Sequence, residues 1–306
     1  MGEWMMTTSV LEVKKLEKHF KNFSFGPVDF QIEKGTAVAL VGGNGSGKST
    51  FFRLLMNILQ AEAGTVHLFG ENLIENEIDI KRKIGFIGDM LEPFSSLKIK
   101  EIASLVSHWY PTWDNERYTQ LIQRYNINEN EKFGKCSKGT KKKVEFVLSV
   151  CHQPDILLLD EPSANVDIVS QRKMKEDLIK YMEDGEKSIV LSTHIMDDVR
   201  QICDYVTIIE NGKIIFSFEK DEIHEKWAKV WIPELPKHLI DHPHIVMVDK
   251  MNSTSLQIVT NDFPELERDL LANEITIQHL DRITLEEMME LVIEEEHPTH
   301  TESLSK

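Results

Sequence analysis

An α/β architecture, with a mixed sheet as core, a helical subdomain inserted into it and a small α/β appendage behind it, is what this sequence predicts. Three observations carry the prediction. From Val10 to about Phe218, short runs rich in valine and isoleucine alternate with amphipathic stretches, the pattern of a sheet covered by helices on both faces. Between Asp89 and Lys135 that pattern gives way to helical, aromatic and polar sequence. After about Lys220 prolines punctuate the chain, and a second, shorter β/α alternation follows.

Taken in order, Ala37–Val41, Ile84–Ile87, Ile156–Asp160, Ser188–Ser192 and Val206–Glu210 are apolar runs of strand length, whereas Ser49–Leu59, Gln171–Met182 and Met196–Cys203 read as helices. In the insert, SHWYPTWDNERY centres on Pro111, which lacks a backbone N–H and separates two helical segments. Downstream of Pro233, Pro236 and Pro243 come β-like Ile245–Val248 and Leu256–Val259, helix-like Glu265–Ala272, β-like Ile275–Gln278 and helix-like Leu285–Glu295. The organisation expected is a main domain over residues 1–220 with its helical subdomain at about 89–150, an accessory domain over 221–296, and a frayed polar tail over 297–306.

Composition narrows the function classes. A chain of 306 residues with 41% apolar content can build a substantial core. A formal charge of −16 disfavours nucleic acid as the main partner, because binding phosphate backbones by charge needs basic surface. The three cysteines, Cys136, Cys151 and Cys203, lack the spacing of a disulfide framework or a zinc site and fit a reducing compartment. No signal peptide is evident and no apolar run approaches the ~18 residues of a spanning helix, so a membrane connection is expected to run through a partner.

Chemistry is concentrated at strand ends, where open α/β sheets place ligands. GGNGSGKST, comprising Gly42, Gly43, Asn44, Gly45, Ser46, Gly47, Lys48, Ser49 and Thr50, fits G-x-x-x-x-G-K-[ST] between an apolar strand and an apolar helix. Glycines let the backbone N–H groups turn toward phosphate oxygens, and the helix N-terminus adds its positive dipole end. Lys48 is expected to neutralise the β/γ-phosphate charge of a nucleotide, and Ser49 to ligate Mg²⁺. ILLLDEP delivers Asp160 and Glu161 to a strand's carboxyl end: Asp160 supports the metal, while Glu161 polarises the water that attacks the γ-phosphate.

CSKGTKKKV at Cys136–Val144, lying ahead of the Asp160–Glu161 strand, resembles the LSGGQ signature of the ATP-binding cassette (ABC) family. Ser137 and Gly139 match; Lys138 replaces a glycine and Thr140 a glutamine. From the residues alone, Ser137 also reads as a helix N-cap. The resemblance extends over roughly Leu11–Phe218 and takes in ANVD at Ala164–Asp167, similar to the D-loop, and LSTH at Leu191–His194, similar to the switch-histidine strand. It implies that His194 senses the γ-phosphate and helps order the attacking water. It also implies that Ser137 and Gly139, with Lys138 between them, contact ATP held by a second nucleotide-binding subunit, identical or different.

Phe20 fits the aromatic position on which the family stacks adenine, with Phe23 and Phe25 as competitors and core packing as the alternative. IGFIGD places Asp89 where the family usually has Gln or Glu; it reads either as a third metal ligand or as a plain turn residue. The SKGTKKK, YPTWD and ITLEEMMELV segments resemble subunits serving ABC-2-type exporters, including those for antimicrobial peptides. That implies a transmembrane ABC-2-type permease as partner, docked beside Asp89–Leu97, and a peripheral location on the cytoplasmic side of the cell membrane. Trp109, Tyr110 and Trp113 serve either that interface or the core. A soluble ABC ATPase and an importer subunit are the rival readings.

Overall fold

Alternation of apolar and polar residues opens the chain. β1 (Ser9–Phe20) and β2 (Phe23–Glu33) pair antiparallel, and along β2 Val28, Phe30 and Ile32 are buried while Asp29, Gln31 and Glu33 face out. β3 (Ala37–Val41) is buried at every position, as a strand covered on both faces must be, and α1 (Lys48–Leu55) follows. β4 (Ala63–Leu68) and β5 (Glu71–Asn72) complete an antiparallel sheet of order β2-β1-β4-β5. α2 (Glu77–Arg82) then leads into β6 (Ile84–Ile87).

Three helices follow: α3 (Ile99–Trp109), α4 (Asn115–Arg124) and α5 (Lys138–Val150). α3 ends before Pro111, and Asp114 caps α4 by accepting the Arg117 N–H at 2.9 Å. Trp109 is exposed, whereas the Tyr110 ring lies 4.0 Å from that of His152. β7 (Ile156–Asp160), α6 (Ile168–Met182), β8 (Ser188–Ser192), α7 (Met196–Ile202), β9 (Tyr205–Glu210) and β10 (Lys213–Glu219) then give a second sheet of order β10-β9-β3-β8-β7-β6. Within it β3, β6, β7, β8 and β9 pair in parallel. Its register sets Asp160 opposite Ser192, so the strand ends that carry chemistry share one edge. One core cluster unites Leu16, Phe25 and Phe30 of the antiparallel sheet, Phe51 and Leu55 of α1, and Leu40, Leu158 and Val190 of the parallel sheet.

The computed structural model describes residues 9–240, 242–252 and 255–296, and the chain divides after Ser217 into two compact units. The second contains α8 (Glu222–Lys226), β11 (Ala228–Ile232), β12 (Ile245–Asn252), β13 (Ser255–Thr260), α9 (Phe263–Ala272), β14 (His279–Arg282) and α10 (Leu285–Glu296). Its sheet has the order β12-β13-β11-β14, and Val230, Ile232 and Ile258 pack with Phe263, Leu266 and Leu270 of α9 in a core of their own. The tail at His297–Lys306 lies outside the described residues. Among the described residues no helix is long and apolar enough to cross a membrane.

Two expectations are corrected. The first helix stops at Leu55 and does not reach Leu59: Asn57 takes a left-handed φ of 49°, and the Ile58 and Leu59 N–H groups turn back to the Arg53 carbonyl. Ile275–Gln278 is not a strand. Ile275 is buried in the unit's core, and the edge strand is the following, fully exposed segment His279–Arg282, which pairs with β11. Burial and ladder pairing thus fall on adjacent stretches, and apolarity marked only the first.

Candidate active site

The phosphate loop leaves β3 at Gly42 and enters α1 through Gly47. Gly42 is required by close approach: a Cβ there would sit 2.1 Å from the Ile209 carbonyl oxygen. Gly47 has φ 114° and lies against the rings of Phe23 and Phe25, each 3.2 Å from where a Cβ would be. Lys48 is buried, and its Nζ donates to the carbonyl oxygens of Gly42 (2.8 Å) and Gly43 (2.9 Å). Burial lowers its pKa, countered by the negative charges of Glu161, Asp160 and Glu210. Ser46 Oγ is buried and lacks a hydrogen-bond partner among the described residues. A buried cation hydrogen-bonded to carbonyls of its own loop, beside an orphaned hydroxyl, suits an incoming phosphate.

Facing the loop, β7 ends in Asp160 and the chain turns sharply: Glu161 adopts φ 48°, a left-handed conformation uncommon for a residue with a side chain. Ser192, buried on β8, holds that turn. Its Oγ donates to Asp160 Oδ1 at 2.7 Å and accepts the Glu161 N–H at 3.1 Å. His194, two residues on, places Nε2 at 2.9 Å from Glu161 Oε1. Both side chains are partly exposed, within reach of a water and a substrate.

Many of the candidate residues border two clefts that share Ser49 and Glu161. One is lined by Phe23 and by Asn44, Gly45, Ser46, Gly47, Lys48 and Thr50. The other brings together Asp89, Asp160, Lys138, Lys141, Lys142 and Asn165, so the three candidate metal ligands Ser49, Asp89 and Asp160 border one space. This donor set of one hydroxyl and two carboxylates suits a hard cation such as Mg²⁺. Phe20 is exposed at the tip of the β1–β2 hairpin, 6.0 Å from Phe23 between ring centroids; Phe23 is the aromatic that borders the phosphate loop. Phe25 is fully buried and stacks on Phe51, a core role.

Ser137 and Gly139 line neither cleft. The Ser137 hydroxyl caps α5 by accepting the Thr140 N–H at 3.1 Å. Gly139 packs so tightly that a Cβ would stand 2.4 Å from the Asn165 carbonyl oxygen. Two contributors were not singled out from the sequence. Ser192 reads there as an ordinary strand residue, its position two before His194 being the one available signal. Lys142 is one lysine in a run, and its Nζ lies 2.9 Å from the Asp89 carboxylate.

A glycine-rich loop at a helix start, a buried lysine and a strand-end carboxylate pair backed by a histidine define the class, a P-loop ATPase. Within that class the chain belongs to the ABC transporter family. The family model described as ABC transporter matches residues 25–164. The ABC transporter ATP-binding protein NatA of Bacillus subtilis (strain 168) is 30% identical over 204 residues, which span 65% of this chain and 82% of NatA. The bacitracin transport ATP-binding protein BcrA of Bacillus licheniformis is 24% identical over 226 residues, covering 73% of this chain and 74% of BcrA. Among solved structures, a dimeric post-hydrolysis state of the ATP-binding cassette MJ0796 with ADP and Pi matches at TM-score 0.61 and 20% identity, over 68% of this chain and 98% of that one. The chain is an ATP-binding cassette that hydrolyses ATP to drive transport.

Proposed function

We propose that two such cassettes close head to tail on two ATP molecules and drive export through a separate ABC-2-type permease, with amphipathic or antimicrobial peptides as the substrate class. The observation that carries the catalytic part is the 2.9 Å contact between His194 and Glu161 beside the phosphate loop. Glu161 accepts the proton of the attacking water, and His194 holds that carboxylate in place. Lys48 exchanges its loop carbonyls for phosphate oxygens as charge builds in the transition state. Ser49, Asp160 and Asp89 would hold Mg²⁺, which when bound neutralises phosphate oxygens.

Ser137 and Gly139 line neither cleft, which supports their use by the nucleotide of an opposing subunit, while Lys138 borders the cleft of Asp89 and Asp160. Dimerisation is further supported by the likeness to the dimeric cassette, and a peptide substrate by the likeness to the bacitracin transport protein BcrA. ATP-driven closing and opening is a population shift that a partner can read as displacement. An apolar cleft among Met56, Ile58, Phe86, Met90, Leu91 and Val106 supports docking of the partner's helix beside Asp89.

Glu161→Gln tests the reading. Turnover should fall by about a hundredfold or more while ATP binding persists and an ATP-dependent dimer accumulates in sedimentation. Retained turnover removes Glu161 as the base, and a monomer at saturating ATP removes the head-to-tail pair. Co-purification with a polytopic membrane protein, followed by transport in vesicles of known orientation, tests the partner and the direction.

A further inference from the structure

Beside the metal side of the cleft, two lysines of α5 are tied to the loop that follows β6. Lys141 Nζ lies 2.6 Å from Glu92, and Lys142 Nζ lies 2.9 Å from Asp89. The Lys142 stem is largely buried, 13% exposed, while the Asp89 carboxylate is 73% exposed. The anchor is therefore the lysine, and the carboxylate is the solvent-facing member of the pair. Lys142 Nζ is also 3.4 Å from the Asp160 carbonyl oxygen and 3.6 Å from the carboxylate of Glu145, which fixes its position from a second side. Asp89 itself sits at φ 56°, a left-handed conformation that aspartate tolerates better than most residues. Asp89, Lys142, Ser49 and Asp160 border the same space.

We propose that Lys142 is a positioning residue that restrains Asp89 and thereby sets how much Mg²⁺ the nucleotide site needs. The inference rests on the reading of Ser49, Asp160 and Asp89 as the metal side of that site. A carboxylate engaged with an ammonium group has weaker donor capacity for a divalent cation, so lysine and metal compete for Asp89. Releasing the lysine lowers the Mg²⁺ requirement, and the effect passes through Asp89 alone. Because one partner of the pair is exposed, the expected effect is modest, about threefold to fivefold.

The test uses the full chain carrying Glu161→Gln, which suppresses turnover, with ATP binding measured by equilibrium dialysis across a Mg²⁺ titration. Lys142→Met should lower the Mg²⁺ midpoint about threefold to fivefold, and Lys142→Arg should leave it in place. In an Asp89→Asn background, Lys142→Met should no longer move the midpoint. A midpoint that is unchanged or raised by Lys142→Met overturns the proposal, as does an equal shift with and without Asp89. Lys142→Gln, which keeps a polar side chain, repeats the comparison if the methionine variant folds poorly. If the parent binds no ATP at any Mg²⁺ concentration, the nucleotide-site reading falls and this inference with it. If the parent binds ATP normally and only the Lys142 response is missing, the inference alone fails.

Discussion

Ser192 shows how one hydroxyl organises a reactive turn. It bonds both the Asp160 carboxylate and the Glu161 amide, so it fixes the relative placement of the candidate metal ligand and the candidate base. Ser192→Ala should cost about 1–2 kcal/mol of stability, because a half-buried carboxylate loses its donor. It should lower turnover by roughly tenfold while leaving ATP affinity nearly unchanged, since a base displaced from its water costs rate before binding. Thermal melts and steady-state kinetics on the same preparation separate these effects, and a loss of affinity equal to the loss of rate would count against a positioning role.

Glu145 is a second single-residue case. It is buried on α5, and desolvation pushes its pKa up to about 7, opposed by Lys142 and raised further by the negative charge of Asp89. A carboxyl whose folded pKa exceeds its unfolded value favours the folded state most below the unfolded value, and that stability is lost as pH rises through the folded one. Wild-type stability should therefore decline from about pH 4.5 to above about pH 7 on account of this group. Glu145→Gln should remove that part of the decline, leaving the variant more stable than wild type at pH 8 relative to their difference at pH 5. Parallel melts across that range check it.

At the scale of elements, the start of α5 and the segment between β7 and α6 are coupled by contact. Gly139 abuts the Asn165 carbonyl oxygen, and Lys143 lies 3.6 Å from Asp167, the residue that caps α6 through the Ser170 N–H. Gly139→Ala must push backbone against backbone at 2.4 Å, so it should cost about 1–3 kcal/mol. That corresponds to roughly 2–12 °C in melting temperature for a domain of this size. Turnover should fall as well, because Ala164 and Asn165 border the cleft that holds Asp160 and Glu161. An unshifted melt would mean that the segment yields freely.

At the scale of the molecule, the two units carry separate cores, and every candidate catalytic and phosphate-loop residue lies before Ser217. A chain ended after Lys220 should therefore still bind ATP within about twofold of the full protein, by the near-additivity of distant, independent sites. Isothermal titration of both forms with ATP measures this. A tenfold loss would assign the second unit a share in the nucleotide site.

What the sequence by itself determined was whatever rests on local spacing. Strands β3, β6, β7 and β8 stand where apolar runs mark them, and the phosphate loop is legible because its glycines, lysine and hydroxyls are contiguous. The polar edge strand β14 carried no such mark, because an exposed strand on a small sheet gains its order from ladder pairing and not from burial. Only the tertiary structure decided that Ser192 joins the two carboxylates, that Phe23 and not Phe20 borders the phosphate loop, and that Lys142 holds Asp89. Those contacts join residues tens of positions apart or select among equivalent candidates. The physical reason is that a side chain's type can be read from one residue, but its partner is chosen by the packing that brings distant strand ends and helix starts to the same edge of the sheet.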